Sequence, residues 1–321
     1  MKSPIGLSVS IVSYFHDLPI LSATLDSLLL ALRQLSQTMP LTAVVVVVDN
    51  SEQGCDADRL KAWLATRDES DKSNDQAVGI RLHVSHINDG YGAGNNRGQT
   101  NANSVEASQG WSTRLTDIPA EHRWVLILNP DVILAEDALL AGIQCLQQNP
   151  ASSMLSPRAV DENGKDLFLA HRYPSWRVLG LRALAPGIAI SGKPAWASAL
   201  MHRYECRDLP PDQMHTETVC ASGCFMLMAY TAWRESGGFD ERFFLYFEDY
   251  DLSCRLLALG PVTYAPSVRI QHAGGQAASK QGRHRQWFIS SAMRFFRYNG
   301  WPARRRRPNP ASLLGKQAHE V

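Results

Sequence analysis

The stretch "AVVVVV" over residues 43–48 constrains this chain more than any other feature. β-branched side chains favour extended backbone, and a run without polar alternation suits a strand covered on both faces. Such strands belong to layered α/β structures in which helices cover the sheet. Upstream, "LSVSIVSYF" alternates Leu7, Val9 and Ile11 as a first strand, and "LPILSATLDSLLLALRQLS" sets Leu21, Leu25, Leu28, Leu29 and Leu32 at helical spacing. The three segments form a βαβ unit that ends at Asp49.

The alternation continues. "DADRLKAWLATRD" reads as a helix, "IRLHVSHIN" as a strand, and "DGYGAGNNRGQTNA" as a Gly/Asn-rich turn leading into another helix. "RWVLILNPDVIL" is a further buried strand, and "AEDALLAGIQCLQQNP" is a helix stopped by Pro150. Four strands end at polar residues: Ser13 and Tyr14, Asp49 and Asn50, Asn88 and Asp89, Asn129 and Asp131. In open parallel sheets ligands bind beyond the carboxyl ends of the strands, so these tips are expected to line one crevice. Residues 156–219 lose the pattern and read as an insertion packed over the sheet. Regular structure resumes at "CASGCFMLMAYTAWRESGGF".

With 321 residues and 45% hydrophobic content, the chain can bury a substantial core. Its net charge of +1 gives no global reason to expect nucleic acid. The longest wholly apolar stretch is far shorter than a bilayer-spanning helix requires, and the amino terminus reads as a strand rather than a secretory leader, so a cytoplasmic protein is expected. Six cysteines without a regular framework read as reduced thiols. Cys220, Cys224 and His215 match no common zinc spacing.

"FFLYFEDYDLSC" places Glu248, Asp249 and Asp251 directly behind apolar residues. Buried carboxylates without partners cost several kcal/mol, roughly, so the cluster calls for compensation. "EDYDLSCRLLAL" ends at Gly260 and Pro261 like a capped helix. On that helix Leu252, Leu256 and Leu259 form one stripe, with Glu248 and Asp249 beside it and Asp251 turned away. Glu248 and Asp249 are thus expected to face the protein and Asp251 to point aside. Both facing acids lie in the first turn, where the helix dipole favours ionised carboxylates by about 0.3–1 kcal/mol. Capping, or pairing with Arg234, Arg242 or Arg255, is the structural alternative, and helix geometry leaves Glu248 and Asp249 undivided. Asp131 follows a strand ended by Pro130, with an Asx-type cap as its alternative. His272 follows a strand-like segment, and beside Asp131 it would make an N/O site for a divalent ion.

In order along the chain, "VVVVDNS", "NDGYGAGNNRG", "LILNPDVIL", "SGCFMLMAYTAWRESGGFDERFFLYFEDYDLSCR" and "QHAGG" resemble the family 2 glycosyltransferases of GT-A fold. Within them the series looks most like the rhamnosyltransferase-like branch that builds bacterial surface polysaccharides. The resemblance implies an α/β fold with a Rossmann-like mixed sheet flanked by helices. It implies a single large domain over residues 1–300, with 156–219 on the acceptor side and 301–321 as a basic, disordered tail. Ser13, Tyr14 and Asp49 would hold the base and ribose of a nucleotide sugar, and Asn96 would help position the nucleotide and diphosphate. Asp131 fills the second Asp of the family's metal-binding D-x-D, whereas Asn129 stands where the first would be. His272 matches a position near the metal, Mg²⁺ or Mn²⁺. Asp249, second of the family's "ED" pair with Glu248, would be the catalytic base.

The residue types suit that chemistry. Inverting transfer needs a carboxylate to take the acceptor proton and a cation to offset charge on the departing diphosphate. The resemblance implies L-rhamnose from a dTDP donor passing to a saccharide or lipid-linked saccharide. Two alternatives are a catalytically silent nucleotide-sugar or saccharide binding module and a sugar nucleotidyltransferase. The latter would need an early Gly-rich triphosphate loop that the chain lacks. "GYGAGNNRG" has Gly92 and Gly94 but its next glycine is Gly98, so the dinucleotide fingerprint is absent. The basic, aromatic segment with Arg283, Arg285, Arg294 and the run 304–307 reads equally as a helix packed on the domain or as peripheral contact with an anionic membrane on the inner face of the plasma membrane. Without a stacking platform it makes a weak nucleic-acid site.

Overall fold

The valine run forms the second strand of a ten-stranded mixed sheet, buried at every position. The computed structural model describes residues 3–15, 17–54, 56–71, 78–104, 114–184, 194–272 and 283–300. The first half runs β1 (Ile5–Ser13), α1 (Leu18–Ser36), β2 (Leu41–Asp49), α2 (Ala57–Asp71), β3 (Val78–Val84), α3 (Tyr91–Asn103), β4 (Arg123–Leu128), β5 (Val132–Leu134) and α4 (Ala138–Gln148). The second half follows as β6 (Met154–Val160), β7 (Asp166–Leu167), β8 (Ala170–His171), α5 (Trp176–Leu184), α6 (Ala195–Tyr204), β9 (His215–Thr218) and β10 (Cys220–Ala221). It closes with β11 (Phe225–Ala229), α7 (Tyr230–Ser236), α8 (Glu248–Leu256), β12 (Val262–His272) and α9 (Arg283–Asn299).

The sheet order is β3-β2-β1-β4-β11-β6-β12-β5, with β7 beside β6 and β9 beside β12. β3, β2, β1 and β4 run parallel, as expected of βαβ units. β11 is antiparallel to both β4 and β6, which leaves β6 and β12 running with the first group. The carboxyl ends of β1, β2, β4 and β12 therefore share one edge of the sheet.

α1 buries Leu21, Leu25, Leu28, Leu32 and Leu35 in the main core together with Leu7, Val9 and Ile11 of β1. By length and composition this helix could cross a membrane, contrary to the expectation that no segment would. In the fold its apolar stripe covers the sheet instead.

The structure corrects the limits of the insertion. Residues 156–160 belong to β6, a central strand between β11 and β12. Pro157 obscured it, because proline within a central strand removes a ladder donor. The register with β12 shifts directly past Pro157, from Pro157↔Ala265 to Arg158↔Arg269, and this irregularity accommodates the proline.

"GYGAGNNRG" is also more ordered than a turn, since α3 begins at Tyr91 and contains Gly92, Gly94 and Gly98. A Cβ at Gly98 would come within 2.6 Å of Ser10 Cβ, and one at Gly94 within 2.9 Å of Val12 Cγ2. The missing side chains let α3 lie directly on β1. There Asn95 and Gln99 accept hydrogen bonds from Ser10 and Ser8 at 2.7 and 2.6 Å.

Candidate functional site at the carboxyl edge of the sheet

Ser13 is paired with Asp49 across β1 and β2, and the backbone N–H of Asn50 donates to the Ser13 carbonyl at 2.9 Å. Asn50 Nδ2 then donates to Asn88 Oδ1 at 3.2 Å and to the Gly90 carbonyl at 3.0 Å. Three of the predicted strand tips are thereby joined into one surface. Asp89, at the third tip, is ion-paired with Arg97 of α3.

Buried polar atoms nearly always have partners, so those without one mark unusual places. Among the described residues, Trp124, Ser156, His215, Thr218, Arg255 and Asn299 have such an atom elsewhere in the fold, and Ser13 Oγ, Asp49 Oδ2, Asn50 Oδ1, Asn129 Oδ1 and Glu248 Oε2 make a further group of five. All five lie at strand tips of this edge or at the start of α8. Asp49 uses its other oxygen to accept the Ser51 N–H at 2.9 Å. Tyr14 is exposed, and its hydroxyl lies 3.3 Å from both carboxylate oxygens of Glu52.

Asp131 Oδ1 lies 3.2 Å from His272 Nε2. Pro130 separates β4 from β5, and β5 pairs with the end of β12 so that Val132 sits opposite His272. That pairing carries the His onto the Asp. The two side chains supply one oxygen and one nitrogen, a donor set suited to a borderline divalent ion, and Asn129 adds a buried unpartnered oxygen two residues away. Among the described residues no cluster of three or more His, Cys, Asp or Glu could hold a metal.

α8 begins under constraint. Tyr246 and Phe247 have φ of 70° and 66°, left-handed values that are costly for aromatic residues, and Glu248 follows them. Asp249 Oδ2 accepts the Gly223 N–H at 3.0 Å, and Oδ1 accepts the Tyr250 N–H at 2.8 Å. Tyr91 donates its hydroxyl to the Gly223 carbonyl at 2.7 Å, and a Cβ at Gly223 would lie 3.3 Å from both Asp249 Cβ and Tyr91 Cε1. One residue on, the Cys224 carbonyl accepts the Asn129 N–H at 2.9 Å. The dipeptide Gly223-Cys224 thus bridges the Asp249 carboxylate to the loop that carries Asp131. Burial pushes the Cys224 thiol up to about 12, and Asp131 and Asp249 both add to that shift. The two acids meet on one edge.

The acids of "EDYD" differ sharply. Glu248 is buried, and burial, then the neighbouring Asp249 charge, hold its carboxyl well above the usual range. Desolvation thus opposes the helix dipole at Glu248 and favours its protonated form, beside a partly exposed Asp249. Asp251 departs from expectation. It is 4% exposed, ion-paired at 2.9 Å with Arg255, and accepts the Asn299 Nδ2–H at 2.9 Å. α7 and α9 cover that side of α8, so a helix judged by one apolar stripe proved to be enclosed on more than one face.

Asn96, expected to help position the nucleotide and diphosphate, bridges two elements of the fold. Its amide donates to the Phe239 carbonyl and to Glu241 at 2.9 Å each, while its oxygen accepts the Phe239 N–H at 2.9 Å. It ties α3 to the loop after α7. Gly223 and Tyr91, which hold Asp249, escaped sequence reasoning because neither carries a local signal; only the glycine of "SGC" meeting the start of α8 reveals them. A cavity lined by Arg158, Asp166, Glu205, His215 and Tyr264 contains none of the predicted site residues.

A family described as "Glycosyltransferase like family 2" matches residues 4–290. The N-acetylglucosaminyl-diphospho-decaprenol L-rhamnosyltransferase of Mycobacterium tuberculosis is 28% identical over 232 residues, covering 69% of this chain and 69% of that protein. The rhamnosyltransferase WbbL of Escherichia coli is 26% identical over 183 residues, covering 55% and 62%. Among solved structures, GalNAc-T7 with UDP, GalNAc and Mn²⁺ superposes with a TM-score of 0.56 at 11% identity over 92% of this chain. This chain spans about half the length of that one, 48%, and the likeness is one of fold. With a match over nearly its whole described length, the chain belongs to glycosyltransferase family 2 and is a glycosyltransferase.

Proposed function

We propose that the protein is an inverting rhamnosyltransferase that moves L-rhamnose from dTDP-L-rhamnose to a saccharide or lipid-linked saccharide in surface polysaccharide synthesis. The observation that supports this reading is the bridge through Gly223 and Cys224, which links the Asp249 carboxylate to the loop that carries Asp131, itself 3.2 Å from His272. The transferred sugar rests on likeness to the two bacterial rhamnosyltransferases, and the lipid-linked acceptor on likeness to the mycobacterial one.

In this scheme the strand tips around Ser13, Asp49 and Asn50 receive the nucleoside, with their unpartnered buried atoms as its hydrogen-bonding groups. Asp131 and His272 would hold a divalent ion, with diphosphate oxygens and water completing its shell, and the ion would offset charge on the departing diphosphate. Asp249 takes the proton from the acceptor hydroxyl as its oxygen attacks the anomeric carbon. The bond to the diphosphate breaks on the opposite face of the sugar. The Gly223 and Tyr250 N–H groups fix the carboxylate and favour its charged form. Glu248 lies buried next to it, where desolvation favours the protonated form of its carboxyl.

Thermal-shift screening of nucleotide sugars with Mn²⁺, followed by a transfer assay, tests the proposal, because selective binding raises stability by mass action. dTDP-L-rhamnose is expected to give the largest shift and to be consumed. Binding without transfer or hydrolysis would instead support the silent module, and pyrophosphate release from a nucleoside triphosphate would support a nucleotidyltransferase.

A further inference from the structure

α9 divides cleanly between two environments. Ser291, Ala292, Phe295 and Phe296 are buried against the aromatic cluster around Phe247 and Tyr250, and the Ser291 hydroxyl donates to the Leu245 carbonyl at 2.9 Å. The exposed residues Arg285, Ile289, Met293 and Arg297 recur at four-residue spacing, a stripe that winds about 120° around the helix from the flank beside Phe296. Ile289 is 46% and Met293 61% exposed. Trp176 of α5, 47% exposed, packs its ring 4.8 Å from that of Phe296 in the same helix, and Arg177 beside it is exposed as well. A folded protein gains nothing by presenting two large aliphatic side chains and a tryptophan between arginines unless something receives them.

Charge identifies the receiver. From residue 283 onward the chain holds nine Lys or Arg and a single acid, Glu320, a net of +8, so the remainder carries −7 against the overall +1. The segment 301–321 contains four consecutive arginines and would be repelled by Arg285 and Arg297, which makes it a poor cover for the stripe. A second copy placed face to face would meet the same arginines. We propose that the stripe of Arg285, Ile289, Met293 and Arg297, with Trp176 and Arg177, docks on an anionic lipid bilayer, its apolar residues entering the headgroup boundary and its arginines meeting lipid phosphates. This surface is separate from the carboxyl edge of the sheet and does not depend on the transfer reading.

Co-sedimentation of the full chain with vesicles of phosphatidylcholine, alone or mixed equally with phosphatidylglycerol, tests it. The protein is expected to partition onto the mixed vesicles and to be released as ionic strength rises. Arg285→Gln with Arg297→Gln, and separately Ile289→Ser with Met293→Ser, should each weaken partitioning about tenfold or more, and circular dichroism should confirm that both variants stay folded. Equal partitioning onto the two vesicle types would overturn the proposal. So would binding that ignores both variants but vanishes when residues 301–321 are removed, or a dimer in sedimentation velocity that the Ile289→Ser, Met293→Ser variant separates. None of these readouts requires turnover, so loss of the rhamnosyl-transfer reading and loss of this one are distinguishable.

Discussion

Asp249 and Asp251 stand on either side of Tyr250 at the start of α8, and their surroundings could hardly differ more. Asp249 is partly exposed at the carboxyl edge of the sheet and held by two backbone N–H groups, whereas Asp251 is buried against Arg255 and Asn299. A buried carboxylate with a guanidinium partner is a fixture of the core. One kept at a surface and oriented by N–H groups remains able to exchange a proton. The lesson is that a cluster of acids in sequence need not be one site: two residues along α8 separate an acid held at the surface by backbone N–H groups from one paired in the core.

The largest effect should therefore fall on activity at one acid and on stability at the other. Asp249→Asn can keep only one of the two N–H contacts, since its amide nitrogen cannot accept the other, and it cannot take the proton, so kcat should fall by about 10² to 10⁴-fold while the fold loses no more than about 1–3 kcal/mol for the unmet N–H. An assay in which this variant turns over normally would erase the distinction from one side. Asp251→Ala leaves Arg255 charged and buried, and should cost about 3–5 kcal/mol in denaturant unfolding. A loss no larger than that of an exposed surface pair would erase it from the other side.

Smaller effects sharpen the contrast. Tyr91→Phe removes the hydrogen bond to the Gly223 carbonyl, worth about 0.5–1.5 kcal/mol, and should lower kcat about two- to tenfold while the KM for donor stays fixed. A matching rise in KM would show that Tyr91 serves binding rather than the placement of Asp249. Glu248→Gln should change the pH dependence of stability. Burial raises the Glu248 carboxyl above 4.5, so the folded state keeps a proton that the unfolded state releases, and wild-type stability falls as pH rises from 4.5 toward the folded value. Glutamine cannot titrate. Melting curves of the two proteins should converge below pH 4.5 and separate above it in favour of the variant; parallel curves across that range would show that Glu248 is not held neutral.

How much of this was legible in the sequence depends on whether the signal is local. The valine run, the leucine spacing of α1 and the polar strand tips are repeats of one or two elements, and they gave β1, α1, β2 and the carboxyl edge directly. β6 was hidden because Pro157 is tolerated only through a register shift on the neighbouring β12. Asp251 was misplaced because the covering of α8 by α9 joins residues 251 and 299, a contact no periodicity encodes. The partners of Asn96, Phe239 and Glu241, were not legible because they lie far along the chain. Gly223 was quoted within a motif, yet its task of holding Asp249 emerges only where two loops meet.

The central claim is that the carboxyl edge carries two acidic groups with separate work, Asp131 with His272 for the donor diphosphate and Asp249 for the acceptor proton. Calorimetric titration of dTDP into Asp131→Ala and Asp249→Asn, with and without Mn²⁺, tests it most directly. The account predicts that Asp131→Ala loses the metal-dependent part of the affinity while Asp249→Asn binds as wild type does. Unchanged Mn²⁺-dependent binding in Asp131→Ala, or its loss in Asp249→Asn, would contradict it.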